Sequence, residues 1–139
     1  MILDKKQKYL QIALNSTLEE AEEIIRQLPD SERILVEAGT PLIKIYGAKA
    51  ISKIKSWAGP GTYVVADLKT ADLAPREVKM ASAAGASGIT CLGVSPIETI
   101  DLFIDECRKF GVDSMIDMMN VENTLLTLRK LKTPPDVVV

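Results

Sequence analysis

Asp67, Lys69 and Asp72 close the run Val64-Val65-Ala66-Asp67-Leu68-Lys69-Thr70-Ala71-Asp72. A carboxylate can hold a divalent cation, and an ammonium held between Asp67 and Asp72 stays protonated and can stabilise an oxyanion. The residues before them are apolar, as in a strand covered on both faces of a parallel sheet. Charge placed where such a strand ends lies at the mouth of a sheet or barrel, where sites form. A solvated, salt-bridged loop has the same composition, so the flanking chain has to decide.

Polar groups recur at the ends of the other apolar runs. They are Asn15, then Glu37 and Thr40, then Asp67, Lys69 and Asp72, then Thr90 or Gly93, then Asp117 and Asn120. In a parallel α/β fold these ends share one face, so four carboxylates, a lysine and several amides converge on one rim. Such a rim can bind a divalent cation through oxygen, with Mg²⁺ favoured where substrate oxygens complete the shell. The chain has no histidine, which removes the usual general base near neutral pH and the commonest metal ligand. Cys91 and Cys107 lack paired or metal-ligand spacing and read as reduced thiols, Cys107 on the inner stripe of a helix.

The elements that must position this rim alternate along the chain. Tyr9–Asn15 reads as a first strand. Thr17 and Glu20 have capping-box spacing ahead of a helix whose inner face is Leu18, Ala21, Ile24, Ile25 and Leu28. Arg33–Thr40 is a second strand, with a helix over Ala48–Trp57 after Pro41, and Thr62–Leu68 a third. Pro75 suits the first turn of a helix that stops at Gly85. Ser87–Leu92 is a fourth strand. Ser95-Pro96-Ile97-Glu98 places a capping residue, a proline at N1 and a glutamate at N3 for a helix ending at Gly111. Asp113–Met118 is a fifth strand. Asn120 caps a helix expected to bury Leu125, Leu128 and Leu131, and Asp136–Val139 is a sixth strand.

Strand ends recurring at roughly 25-residue intervals give α/β class with a parallel sheet. Two architectures fit: an open doubly wound sheet, or the first six strands or so of a TIM (β/α)₈ barrel. A complete barrel needs about 200 residues or more and this chain has 139. Residues 1–139 therefore read as a single partial barrel domain, cut in strand six at Val137-Val138-Val139. Gly59-Pro60-Gly61 is a turn, since it precedes a strand and lacks the G-x-G-x-x-G spacing. With 17 basic and 19 acidic side chains, no net field favours nucleic acid or an anionic membrane. No run of about 18 apolar residues or signal-peptide pattern occurs, so a cytoplasmic protein without nucleic-acid or membrane partners is expected.

Asp67-Leu68-Lys69-Thr70-Ala71-Asp72 matches the D-x-K-x-x-D motif of the orotidine 5′-monophosphate decarboxylase suprafamily of barrels. Glu37-Ala38-Gly39-Thr40-Pro41-Leu42-Ile43-Lys44 resembles the second-strand signature of its 3-hexulose-6-phosphate synthase branch. Thr90-Cys91-Leu92-Gly93-Val94 and Met115-Ile116-Asp117-Met118-Met119-Asn120-Val121 resemble that branch's fourth and fifth strands. The resemblance implies Mg²⁺-dependent aldol chemistry, in which an enediolate of ribulose 5-phosphate adds to formaldehyde. It implies Glu37 and Asp67 as metal ligands, with the metal acting as Lewis acid on the enediolate oxygens. Lys69, Asp67 and Asp72 become the catalytic set, and Asn15, Glu37, Thr40, Thr90 and Asp117 the substrate-binding one. It further implies a homodimer in which Asp72 reaches the neighbouring subunit's site. The orotidine branch carries lysine where Glu37 stands, which argues against a pyrimidine nucleotide. A 3-keto-L-gulonate 6-phosphate decarboxylase shares Glu37 and the metal and is the alternative.

Three departures stand out. Asn15 occupies the family's aspartate position and lacks its charge. The family's histidine after the sixth strand, and the phosphate-gripping loops of strands seven and eight, have no counterpart in these residues. The chain by itself is therefore not expected to turn over. It reads as the first part of a synthase-like enzyme or, alternatively, as a non-catalytic binding or interaction module.

Overall fold

The computed structural model describes residues 3–139. The chain forms β1 (Leu10–Leu14), α1 (Leu18–Gln27), β2 (Ile34–Ala38), α2 (Thr40–Tyr46), α3 (Ala48–Ala58), β3 (Tyr63–Thr70), α4 (Ala74–Ala83), β4 (Gly88–Leu92), α5 (Ile97–Phe110), β5 (Asp113–Asp117), α6 (Thr124–Lys130) and β6 (Val137–Val138). Every strand pairs in parallel with its successor, in the order β1-β2-β3-β4-β5-β6. A doubly wound sheet reverses its order at a switch point. This one never does, so the architecture is a partial (β/α) barrel.

The two faces of the sheet are packed differently. Val36, Val64, Ala66, Ile89, Cys91 and Ile116 face the helices and join Ile51, Ile54, Val78, Ile100, Phe103 and Ile104 in the main core. Phe103 is fully buried, and truncating such a side chain to alanine costs about 3–5 kcal/mol. On the concave face Leu35, Tyr63, Val65 and Met115 form a second cluster with Leu3, Tyr9 and Val137. A Cβ on Gly88 would lie 2.4 Å from the Tyr63 hydroxyl. Glycine there lets the phenol cross β4 and donate to Asp113 Oδ2 at 3.0 Å.

Local signals account for most boundaries. The Thr17 hydroxyl accepts from the Glu20 N–H and opens α1. Gly111 ends α5 in the left-handed conformation, as expected of a glycine past a helix C-terminus. Three expectations are corrected. Pro41 lies inside α2, at its first turn, rather than in a break before α3; proline lacks an N–H where a helix would leave it unused. Pro96, with φ −52 and ψ 142, is the N-cap of α5, and Ser95 makes no capping bond. The Asn123 side chain, not Asn120, caps α6 by accepting from the Leu126 N–H. Asn120 holds φ +60 in the preceding turn. The later start leaves a seven-residue helix with no buried residue; Leu125 is 67% exposed, and Leu128 and Leu131 are only half-buried.

Candidate active site

Asp67 and Lys69 lie within β3, which runs two residues further than the apolar pattern alone indicates. The β3–β4 register shifts between Ala66 and Thr70. Lys69 takes φ +49 within that irregularity. A β-bulge of this kind re-aims a side chain at the rim of a barrel. Here the Lys69 ammonium swings to β5, where its Nζ lies 2.6 Å from Asp117 Oδ2 and 3.3 Å from Asp67 Oδ2. The expected partner, Asp72, is exposed in the β3–α4 turn, and the lysine's ion pairs among the described residues are with Asp67 and Asp117. Chain spacing suggested Asp72; the strand irregularity selects Asp117.

Asp67 is gripped from both sides. The Thr40 hydroxyl donates to Asp67 Oδ2 at 2.6 Å, and the Thr90 hydroxyl donates to Oδ1 at 2.7 Å. Thr90 Oγ1 also accepts from the Lys69 N–H at 2.9 Å. Asp117 Oδ1 accepts from the Met119 N–H at 2.9 Å. Glu37 is half-buried at the end of β2 and accepts from the Gln11 side-chain amide. Gln11 was not a candidate from sequence, although period-two alternation along β1 puts it on the same face as Ala13 and Asn15. Asn15 lies against Gly39, where an added Cβ would come within 1.9 Å of Asn15 Oδ1. The Gly39 N–H donates to Leu14 O, so β1 and β2 end side by side.

Electrostatics follow from this packing. Burial raises the Glu37 pKa; the Gln11 hydrogen bond opposes it and the Asp67 charge adds to it. Burial alone would lower Lys69, but the hydrogen bond to Asp117 and the Asp67 charge outweigh it and raise the ammonium's pKa. Burial alone would raise Asp117, but the bonds from Lys69 and from the Met119 N–H hold it below its ordinary value. The rim therefore carries a lysine that stays protonated beside the ionised Asp117.

No group of three or more acidic, thiol or imidazole ligands converges among the described residues. That donor set does not make an all-protein cage for a metal. Glu37 and Asp67, which sense each other's charge, instead fit the hard, oxygen-seeking Mg²⁺, which takes one or two carboxylates and completes its shell with water or substrate. Asp67 retains acceptor capacity beyond its two threonine bonds, since a carboxylate offers about four lone-pair sites. A cleft of about 650 Å³ lies at the opposite end of the strands, between Tyr9, Ser31, Lys55, Thr62 and Tyr63. There the Lys55 ammonium is occupied by the Pro60 and Thr62 carbonyls.

Residues 8–139 match the family model described as "Orotidine 5'-phosphate decarboxylase / HUMPS family". Two relatives are each described as a "Bifunctional enzyme Fae/Hps". The chain is 44% identical to that of Methanocella arvoryzae and 46% identical to that of Methanosphaera stadtmanae, each over 131 residues. Those stretches are 94% of this chain but 33% and 32% of the relatives, so the chain spans about a third of their length. Among solved structures, 3-hexulose-6-phosphate synthase from Salmonella typhimurium superposes with a TM-score of 0.86 at 31% identity. That match covers 94% of this chain and 63% of the synthase. No helix among the described residues is long and apolar enough to cross a membrane.

Proposed function

The chain belongs to the orotidine 5′-phosphate decarboxylase / HUMPS family, and on that premise we propose that its rim performs 3-hexulose-6-phosphate synthase chemistry. The reaction joins formaldehyde to ribulose 5-phosphate through an enediolate. The observation that carries this reading is the Lys69 ammonium, clasped by Asp117 of β5 and Asp67 of β3 beside Glu37 at the end of β2. The reaction builds negative charge on two neighbouring oxygens of a sugar phosphate. A site that stabilises it needs positive charge fixed in place before the charge develops.

Each residue has a separable task. Lys69 donates from Nζ to the oxygen on which charge accumulates. Asp117 keeps that ammonium protonated and aimed, and the Met119 N–H fixes Asp117 in turn. Glu37 and Asp67 would hold Mg²⁺, with Thr40 gripping Asp67 and Gln11 orienting Glu37. The bound cation would supply Lewis-acid stabilisation of a substrate oxygen anion. None of these residues is assigned proton abstraction, since Lys69 is protonated and Asp117 is engaged by it.

The likeness to the bifunctional relatives and to the solved synthase supports formaldehyde and a pentulose phosphate as reactants. We assign Asp72 to the neighbouring subunit's site in a homodimer, consistent with its exposed position in the turn after β3. A cytoplasmic enzyme fits the same reading.

The native protein should consume ribulose 5-phosphate and formaldehyde only when Mg²⁺ is present, and Asp67→Ala should remove that turnover. Turnover that survives chelation, or decarboxylation of 3-keto-L-gulonate 6-phosphate as the faster reaction, overturns the assignment. Mixing inactive Lys69→Ala and Asp72→Ala variants should restore activity if Asp72 acts across a dimer.

A further inference from the structure

Thr90 stands apart from the other polar residues of the rim because its hydroxyl is already committed in both directions. It is 5% exposed. Its proton goes to Asp67 Oδ1 at 2.7 Å, and its oxygen accepts from the Lys69 N–H at 2.9 Å. A hydroxyl has one proton to give, so no donor remains for a substrate. Thr90 therefore serves Asp67 and the Lys69 backbone rather than donating to a substrate.

The same two bonds lie where the sheet is irregular. Lys69 adopts φ +49, a strained region for a residue with a Cβ that persists only where the surrounding structure holds it. The β3–β4 register breaks at this point, so the regular ladder does not supply a partner for the Lys69 N–H; Thr90 does. The hydroxyl thus ties the backbone of the lysine to the carboxylate two residues before it. Thr40 completes the grip: its one hydroxyl proton goes to Asp67 Oδ2 at 2.6 Å, with the Asp67 carbonyl 2.8 Å away as the alternative acceptor.

We propose that Thr90 is a positioning residue that sets the active geometry by coupling the left-handed turn at Lys69 to the orientation of Asp67. Without its hydroxyl, Lys69 relaxes towards a regular strand and Nζ withdraws from Asp117, while Asp67 rotates away from Glu37. The catalytic consequence rests on the function proposed above; the structural consequence does not.

Thr90→Val keeps the branched shape suited to a strand and removes both bonds, while Thr90→Ser keeps both. In the native protein, Thr90→Val should lower kcat about 10²-fold, the scale of an ångström-sized misplacement, with KM for ribulose 5-phosphate within about two-fold because no substrate contact is lost. Thr90→Ser should recover kcat to within a few-fold. Crystal structures should show Lys69 leaving positive φ and Nζ leaving Asp117 in Thr90→Val but not in Thr90→Ser. If Thr90→Val fails to accumulate, Thr90→Ala carries the same reading. Unchanged Lys69 and Asp67 geometry in the variant overturns the proposal, as does a rise in KM at constant kcat. If the wild type has no synthase activity but Lys69 and Asp67 move as described, the positioning role stands and the functional reading falls.

Discussion

β5 begins at Asp113 and ends at Asp117, and both carboxylates are buried. At the lower end Asp113 accepts from the Leu3 N–H and from the Tyr63 hydroxyl, each at 3.0 Å. These bonds tie the N-terminal segment and β3 to the floor of the barrel. At the upper end Asp117 accepts from the Lys69 ammonium at 2.6 Å, and the Lys69 side chain remains 29% exposed. One strand thus carries the same side chain in two capacities, four residues apart. The lower carboxylate is enclosed by the fold it supports, and the upper one holds a cation where a ligand can reach it. In barrels the stabilising and the reacting ends of the strands are opposite ends, and β5 shows that division within five residues.

Changing each end of β5 separately should separate stability from turnover. The largest effect is expected at the upper end: Lys69→Ala should cost about 10³-fold in kcat/KM or more, while the thermal midpoint falls only by the share that the ion pair with Asp117 contributes. Steady-state assays and calorimetry on one preparation check both halves. Asp113→Ala should do the reverse. Removing it strips an acceptor from the buried Tyr63 hydroxyl, which should cost about 2–4 kcal/mol, read as a lower urea midpoint with turnover per folded molecule preserved.

A smaller effect concerns acid stability. Asp117's pKa is depressed in the folded state, so the unfolded chain binds its proton first as pH falls. Its contribution to stability is present above about pH 4 and is lost as pH falls through the depressed value. Asp117→Asn should therefore flatten the acid-unfolding curve in that window; an unchanged curve would mean the ion pair adds nothing to the fold. The smallest effect is a control on burial in the neighbouring strand. Burial pushes the Cys91 thiol up to about 12, so at pH 8 only about one molecule in 10⁴ carries a thiolate. Cys91 should resist alkylation in the native state and react on unfolding; rapid native labelling would show that β4 opens.

Much of this arrangement is legible in the residues because strand ends are. Apolar runs stop where charge begins, and parallel order brings Glu37, Asp67 and Asp117 to one rim without further information. The order of strands was less accessible, since a doubly wound sheet and a barrel use the same βα units. Only the absence of a reversal between β1 and β6 separates them. What sequence could not give is direction. Lys69 has carboxylates two residues before and three after it, and its choice of Asp117, 48 residues on, follows from a left-handed backbone angle that a lysine does not advertise. Gln11 and the double role of Thr90 were hidden for the same reason, as both depend on cross-strand approach. The leucines of α6 misled in the other direction. A helical stripe predicts burial only when something packs on it, and the cap at Asn123 leaves that helix two turns long.

Position 39 carries a consequence for how the rim can vary. Gly39 has an ordinary φ of −69, so glycine is not there for its backbone freedom. It is there for volume, since even one methyl would overlap Asn15 Oδ1. The vacancy is shaped for a short, planar, branched side chain, and aspartate has the same outline as asparagine. Asn15→Asp should thus slip into the existing space and alter charge alone. A smaller residue at 15 would not free position 39, because a Cβ there would still lie 2.9 Å from the Leu14 carbonyl oxygen; homologous sequences should therefore keep glycine at 39 while position 15 varies between asparagine and aspartate.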